Sequence, residues 1–255
     1  MVVKRTGNIV KLGIPWIIPA LVLFLWYLST RSGMNNTLMP SPDKVIQKTA
    51  EMIKSGQLWE YLSVSTVRAG KGLLLGGFIG LTLAFLTGLN RILDLTLDTS
   101  IQMLRTIPVL AAISLMIIWF GIGERVKVYM VAFGVFFPIY INTYHGIKTI
   151  DKGLMEMGAV YGLSRFRIFT DIILPGALPS ILVGVRLSLG TMWLLLIASE
   201  QIATDAGIGY MAMSARELLQ MDKIVLAIIL YAILGKLSDA SATWLERKLI
   251  RWRER

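Results

Sequence analysis

Glu156 opens a stretch, "EMGAVYGLSRFRIFTDIILPGALPS", that interrupts a chain otherwise made of one apolar run after another. An acid, a glycine six residues on, two arginines and prolines at 175 and 179 supply the chemistry of recognition rather than of bond making. Gly162 lies between two helix-compatible pieces, "DKGLMEMGAVY" and "SRFRIFTDII". A glycine there permits the left-handed residue that turns one helix into the next. Leu174 is restricted by the proline after it, and Pro179 suits the first turn of a following helix. The expected product is a helix, a turn, a second helix and a sharp return into the apolar runs. Glu156, Tyr161, Arg165 and Phe166 would then stand on a rigid protrusion of mixed apolar and charged character, which is a docking surface. A solvated loop with incidental charges is the alternative.

Arg105 and Arg186 are the other candidates, because each begins an apolar run. Charges at membrane depth are costly to bury and are functional candidates by default. Either arginine can equally snorkel to lipid phosphate or hold a neighbouring helix through an acid such as Asp98. Catalytic and metal-binding patterns are lacking. No G-x-x-x-x-G-K-[ST] occurs, since Gly70-Lys71 is followed by Gly72 and Gly235-Lys236 by Leu237. His145 has no partner suggested by spacing, paired carboxylates at ligand spacing are missing, and there is no cysteine. No cofactor is therefore expected on this chain.

The elements that hold these residues follow from composition. With 55% hydrophobic and 16% charged residues, and a mean hydropathy of +0.65, the chain belongs in a bilayer. The net charge of +10 falls mainly in short connections and at the ends, as membrane topology requires and a nucleic-acid groove does not. Charge-free windows of 19, 19, 18 and 20 residues run between Lys11 and Arg31, Lys71 and Arg91, Arg105 and Glu124, and Lys127 and Lys148. Each matches the ~20 residues a helix needs to cross. Ile172–Ser199 and Ile224–Trp244 complete six spans, the first uncleaved because its apolar run is long and no small-x-small site follows. Lysines and arginines near the span ends number 13 on the side of the two termini and 8 on the other. That excess places both ends, and the Glu156 segment, in the cytoplasm.

Between spans one and two, "PSPDKVIQKTAEMIKSGQLWEYL" spaces Val45, Ile46, Met52, Ile53 and Leu58 as an amphipathic interfacial helix. An ordinary connecting helix fits as well. Gly72, Gly76, Gly80, Ala84 and Gly88 make a small-residue ridge on span two, and Gly176, Ser180, Gly184 and Ser188 another on span five, so helices should meet closely there. The organisation expected is residues 1–62 as a cytoplasmic start, first span and interfacial helix. Residues 63–255 follow as a five-helix core with the loop 146–179 and a basic tail.

Glu156, Gly162, Ile172, Leu174 and Pro175 carry a resemblance to ABC importer permeases, whose cytoplasmic loop reads E-A-A, three residues, G, nine residues, I-x-L-P. Met157 and Gly158 replace the two alanines. "SIQMLRTIP", "IIWFGIGE", "FPIYINTYHGIK", "LPGALPSILVGVRLSLGTMW" and "GIGYMAMSARELLQMD" look like the aliphatic sulfonate permeases of the sulfonate, taurine and nitrate branch. The resemblance implies an all-α membrane protein of the type I ABC importer permease fold. It also implies two copies forming a pathway, a cytosolic ATPase pair carrying ATP and Mg, and an extracytoplasmic binding protein at a bacterial cytoplasmic membrane. Glu156, Met157, Gly158, Tyr161, Gly162, Arg165, Phe166, Leu174 and Pro175 would be the coupling helix and its seat. Arg105 and Arg186 remain pathway candidates for the anion, which could equally be taurine or nitrate. An ion-coupled secondary transporter is the other class, though no half-to-half repeat supports it.

Overall fold

The computed structural model describes residues 6–31, 39–202 and 204–250. Lys4, Arg5, Arg251, Arg253 and Arg255 of the charge count lie outside them. Every regular element among the described residues is helical. The chain forms two compact units, residues 1–59 with 211–228, and residues 60–210 with 229–255.

In the first unit, α1 (Thr6–Arg31) is followed by α2 (Pro42–Lys54), and the Trp26 indole donates to the Pro40 carbonyl at 3.1 Å. The amphipathic reading of α2 resolves into two faces. Val45 and Met52 are buried, whereas Ile46 and Ile53 are exposed beside the Lys48–Glu51 ion pair of 2.8 Å.

The second unit takes most of α3 (Gln57–Leu89), then α4 (Arg91–Leu93), a π-helical turn (Asp94–Asp98), α5 (Thr99–Arg105), α6 (Val109–Phe120) and α7 (Glu124–Lys148). The chain continues through α8 (Lys152–Val160), α9 (Arg165–Arg167), a second π-helical turn (Ile168–Ile173), α10 (Leu174–Glu200), α11 (Ile208–Glu217) and α12 (Met221–Leu249), residues 211–228 of the last two belonging to the first unit. Four helical stretches are long and apolar enough to cross a bilayer: Gln57–Leu89, Glu124–Lys148, Arg165–Glu200 and Met221–Leu249. Shorter apolar helices at Ile17–Thr30 and Ala111–Phe120 make up the six. The third window is not one straight span. Pro108 has no N–H and holds Ile107 out of the helix, so α5 stops at Arg105 and α6 restarts at Val109. At 12 residues α6 reaches only ~18 Å of the ~30 Å hydrocarbon layer. Counting charges cannot see such a break.

Helix α7 is the axis of this unit. Val131, Val135 and Ile139 on it pack with Met192, Trp193 and Leu196 of α10, and Trp193 Nε1 donates to Ser238 Oγ of α12 at 2.8 Å. In lipid, burial supplies no drive between helices, so close backbone approach must. The ridge on α3 supplies it: a Cβ on Gly76 would run into the backbone of Ala132, and one on Gly80 would lie 2.9 Å from the Phe136 carbonyl. The ridge on α10 meets the other side of α7, where a Cβ on Gly184 would lie 2.8 Å from the Pro138 carbonyl. Both ridges thus close on one helix.

Candidate functional site

The Glu156 protrusion is built as a capped helix hairpin. Asp151 Oδ1 accepts from the Gly153 N–H at 2.8 Å and starts α8. Gly162, at φ +76°, ends it: the Leu163 N–H bonds to the Gly158 carbonyl and the Gly162 N–H to Ala159, both at 3.0 Å. This pairing satisfies the last carbonyls of the helix only because residue 162 is left-handed. Ser164 then caps α9, its Oγ accepting from the Arg167 N–H at 3.3 Å.

Glu156, Met157, Tyr161, Arg165 and Phe166 are exposed together, Tyr161 at 80% and Phe166 at 75%. Val160, at 86%, joins them. Gly158 is buried, and a Cβ there would sit 2.9 Å from Ile172 Cδ1 and 3.4 Å from Leu163 Cδ1. The second small position of the motif therefore packs, while the first, Met157, faces outward. Leu174 and Pro175 are half-buried and belong to the footing, where Leu174, Phe169, Ile168 and Met155 pack on the buried cluster of Ile147, Ile173, Ala177 and Ile181.

The expected sharp break at Leu174-Pro175 does not occur. Residues Arg165–Glu200 run as one apolar helical stretch. The π-helical turn just before Pro175 accommodates the ring and the missing donor by widening the ladder instead of ending it. A rigid rod thus joins the protrusion to Glu200, ~40 Å along α10 by the 1.5 Å rise of its 27 residues.

At that far end lies a cluster of charges. Glu200 is fully buried and accepts from Ser65 Oγ at 2.8 and 2.9 Å, the Gly209 N–H at 2.9 Å, Tyr231 OH at 3.4 Å and Arg68 Nη1 at 2.8 Å. Arg68, only 3% exposed, also donates from Nη1 to the Ala206 carbonyl at 2.6 Å, from Nε to Glu124 Oε2 at 2.6 Å, and from Nη2 to Glu124 Oε1. Lys127, equally buried, donates to Glu124 Oε1 at 2.9 Å and Thr204 Oγ1 at 2.7 Å. A cleft of ≈ 500 Å³ opens beside Arg68 and Glu124.

Sequence reasoning used Glu124 and Lys127 as limits of apolar windows and Lys127 in the charge count, and passed over Arg68 and Glu200. The available signal was that four charges stand at or just inside the same ends of three spans. Arg186 donates from Nε to Asp239 Oδ1 at 2.7 Å with both side chains partly exposed, which ties α10 to α12. Arg105 ends α5 exposed and forms no ion pair among the described residues. Asp98 accepts from Tyr140 OH at 3.1 Å rather than from either arginine. No metal-capable group of His, Cys, Asp or Glu occurs among the described residues.

Residues 74–251 match the family described as "Binding-protein-dependent transport system inner membrane component". The chain is 53% identical over 239 residues to SsuC of Escherichia coli (strain K12), whose name assigns it to aliphatic sulfonates transport as a permease protein; the match covers 93% of this chain and 91% of that one. TauC of the same strain, named as a taurine transport system permease protein, is 32% identical, covering 91% and 87%. Among solved structures, the inward-facing MetNI methionine ABC transporter is similar at 19% identity with a TM-score of 0.58, covering 76% of this chain and 95% of that one.

Proposed function

The chain belongs to the family of binding-protein-dependent transport system inner membrane components, and from that premise we propose that it moves aliphatic sulfonates into the cell. It is the membrane-spanning subunit of an ABC importer and not itself an enzyme. Membership sets aside an ion-coupled secondary transporter. The observation that carries the substrate assignment is the 53% identity to the permease named for aliphatic sulfonates, against 32% to the one named for taurine.

Two copies of the chain line the pathway. The exposed Met157, Val160, Tyr161 and Phe166, flanked by Glu156 and Arg165, fit an anchor of aromatic and apolar side chains seating in a cleft of a cytosolic ATPase. ATP and Mg bind that partner. Both termini and the Glu156 loop face the cytoplasm, and the Glu200 end faces the binding protein. Because α10 joins the loop to the far end without a break, a displacement of the loop by ATPase closure moves Glu200 as well. Two sites then bias one bundle, which is how allosteric coupling works.

The test is uptake by proteoliposomes containing this chain, its ATPase and its binding protein. Labelled ethanesulfonate should accumulate with ATP and compete poorly with nitrate. Accumulation of nitrate or taurine without ethanesulfonate would sink the substrate assignment.

A further inference from the structure

We propose that Arg68 and Lys127 form a receptor for a small organic oxyanion at the Glu200 end of the bundle. In the resting protein Glu124 occupies that receptor, and the transported anion displaces it. The inference deepens the reading of this chain as an anion permease and rests on it.

Three observations converge. The first is an asymmetry of burial. The Arg68 and Lys127 side chains are each 4% exposed and the Glu200 side chain 0%, but the side chain of Glu124, whose carboxylate caps both cations, is 62% exposed. Glu200 is held by Ser65, Gly209 and Tyr231 as well as Arg68, so it is fixed in place. Every polar partner of Glu124 recorded among the described residues is one of the two cations. Exchange of a solvent-accessible carboxylate for another oxyanion costs little, whereas leaving the Arg68 fork and Lys127 without the charged acceptor that Glu124 supplies is costly for buried cations.

The second observation is charge. Arg68, Lys127, Glu124 and Glu200 sum to zero, and when Glu124 leaves, the remaining three carry a single positive charge. An incoming oxyanion replaces the negative charge that Glu124 supplied to the two cations. The donor set matches too. Arg68 presents Nε and Nη2 side by side, a fork suited to two oxygens of one anionic group, and Lys127 Nζ reaches the same oxygen as Nη2. A carboxylate fills this fork, and so does a sulfonate.

The third is the shape beside it. The ≈ 500 Å³ cleft that opens at Arg68 and Glu124 carries Lys71 and Arg125 as further cations, and its remaining walls include Val64, Val67, Val128 and Tyr129. A charged head at the fork with an alkyl group along those walls fits the cleft as a small amphipathic anion would.

The experiment uses the permease–ATPase complex without binding protein, in nanodiscs of phosphatidylcholine, titrated with ethanesulfonate against sodium chloride at equal ionic strength. Glu124→Gln removes the internal competitor. It should show a saturable rise in melting temperature at an ethanesulfonate concentration about tenfold or more below that needed by the wild type. Adding Lys127→Met to Glu124→Gln should abolish the rise. The wild-type complex should itself respond more to ethanesulfonate than to chloride, which tests the receptor even where a variant fails to assemble. A Glu124→Gln response to ethanesulfonate, nitrate and bicarbonate alike that is no different from chloride, one that survives Lys127→Met, or one that appears only when phosphatidylglycerol is added to the nanodiscs would overturn the proposal. Saturable stabilisation by nitrate or bicarbonate, with none by ethanesulfonate, leaves the receptor standing and overturns the substrate assignment instead.

Discussion

Gly70 and Gly76 sit on the same helix, α3, yet on different faces, and carry different burdens. A Cβ at 76 would collide with the backbone of Ala132, which cannot rotate away, whereas a Cβ at 70 meets nothing within 4 Å. Gly76→Ala should therefore lower stability by about 1–3 kcal/mol, as overpacking does. Gly70→Ala should be neutral or stabilising by up to about 1 kcal/mol through helix propensity. Thermal unfolding of the two purified variants separates them, and equal melting points would refute the close approach of α3 to α7. Glu200 is the opposite kind of residue, dispensable to no neighbour. Glu200→Ala leaves Arg68 Nη1, Ser65 and the Gly209 N–H short of an acceptor in the interior. Removing one member of a buried pair costs about 3–5 kcal/mol. Its melting temperature should fall well below that of Glu124→Gln, because the Glu124 side chain is largely exposed.

For the elements, the hairpin of α8 and α9 is the one whose geometry makes a prediction about coupling. Valine at 162 would have to hold φ +76°, a conformation a β-branched residue resists, so Gly162→Val should deform the protrusion while leaving the spans intact. Glu156→Lys reverses a charge on its exposed face. Both should insert normally and lose ATPase association or its transport-linked stimulation in co-purification and ATPase assays; full association with wild-type transport would remove the coupling role. The connection before α5 is tied differently. Asp94 accepts from Lys148 Nζ at 2.8 Å and Tyr144 OH at 2.7 Å, and those bonds hold its carboxyl below the usual carboxylate range. A depressed acid stabilises the fold above its unfolded value of about 3.9 and loses that contribution as pH falls through the lower folded value. Asp94→Asn should therefore melt below the wild type at pH 7, with the gap closing in acid below about pH 4.

Over the whole molecule, the orientation stands on the charge count and is open to labelling because the chain has no native cysteine. Asn8→Cys and Ser164→Cys should react with an impermeant maleimide only from the cytoplasmic side. Reaction of Ser164→Cys from outside in intact cells would invert the topology and with it the ATPase docking surface.

Composition and periodicity determined that this chain lives in a bilayer, how many apolar segments it has, and where the E-x-x-x-x-x-G turn interrupts them. Those properties are local: a helix's apolarity, a capping glycine and a proline act within a few residues. The glycine ridges were legible for the same reason, although the partner they close on, α7, was not. What the tertiary structure decided were the relations between distant residues. Arg68 meets Glu124 and Glu200 across 56 and 132 positions, a pairing no spacing rule contains. Arg186 chose Asp239 over Asp98 because helix packing set which acid came within reach. Even a local signal was overruled where a neighbouring element offered another solution. Leu174-Pro175 reads as a break, but a π-helical turn upstream absorbs it, since anchoring the turn's Ile168, Phe169 and Ile173 in the core keeps the helix going.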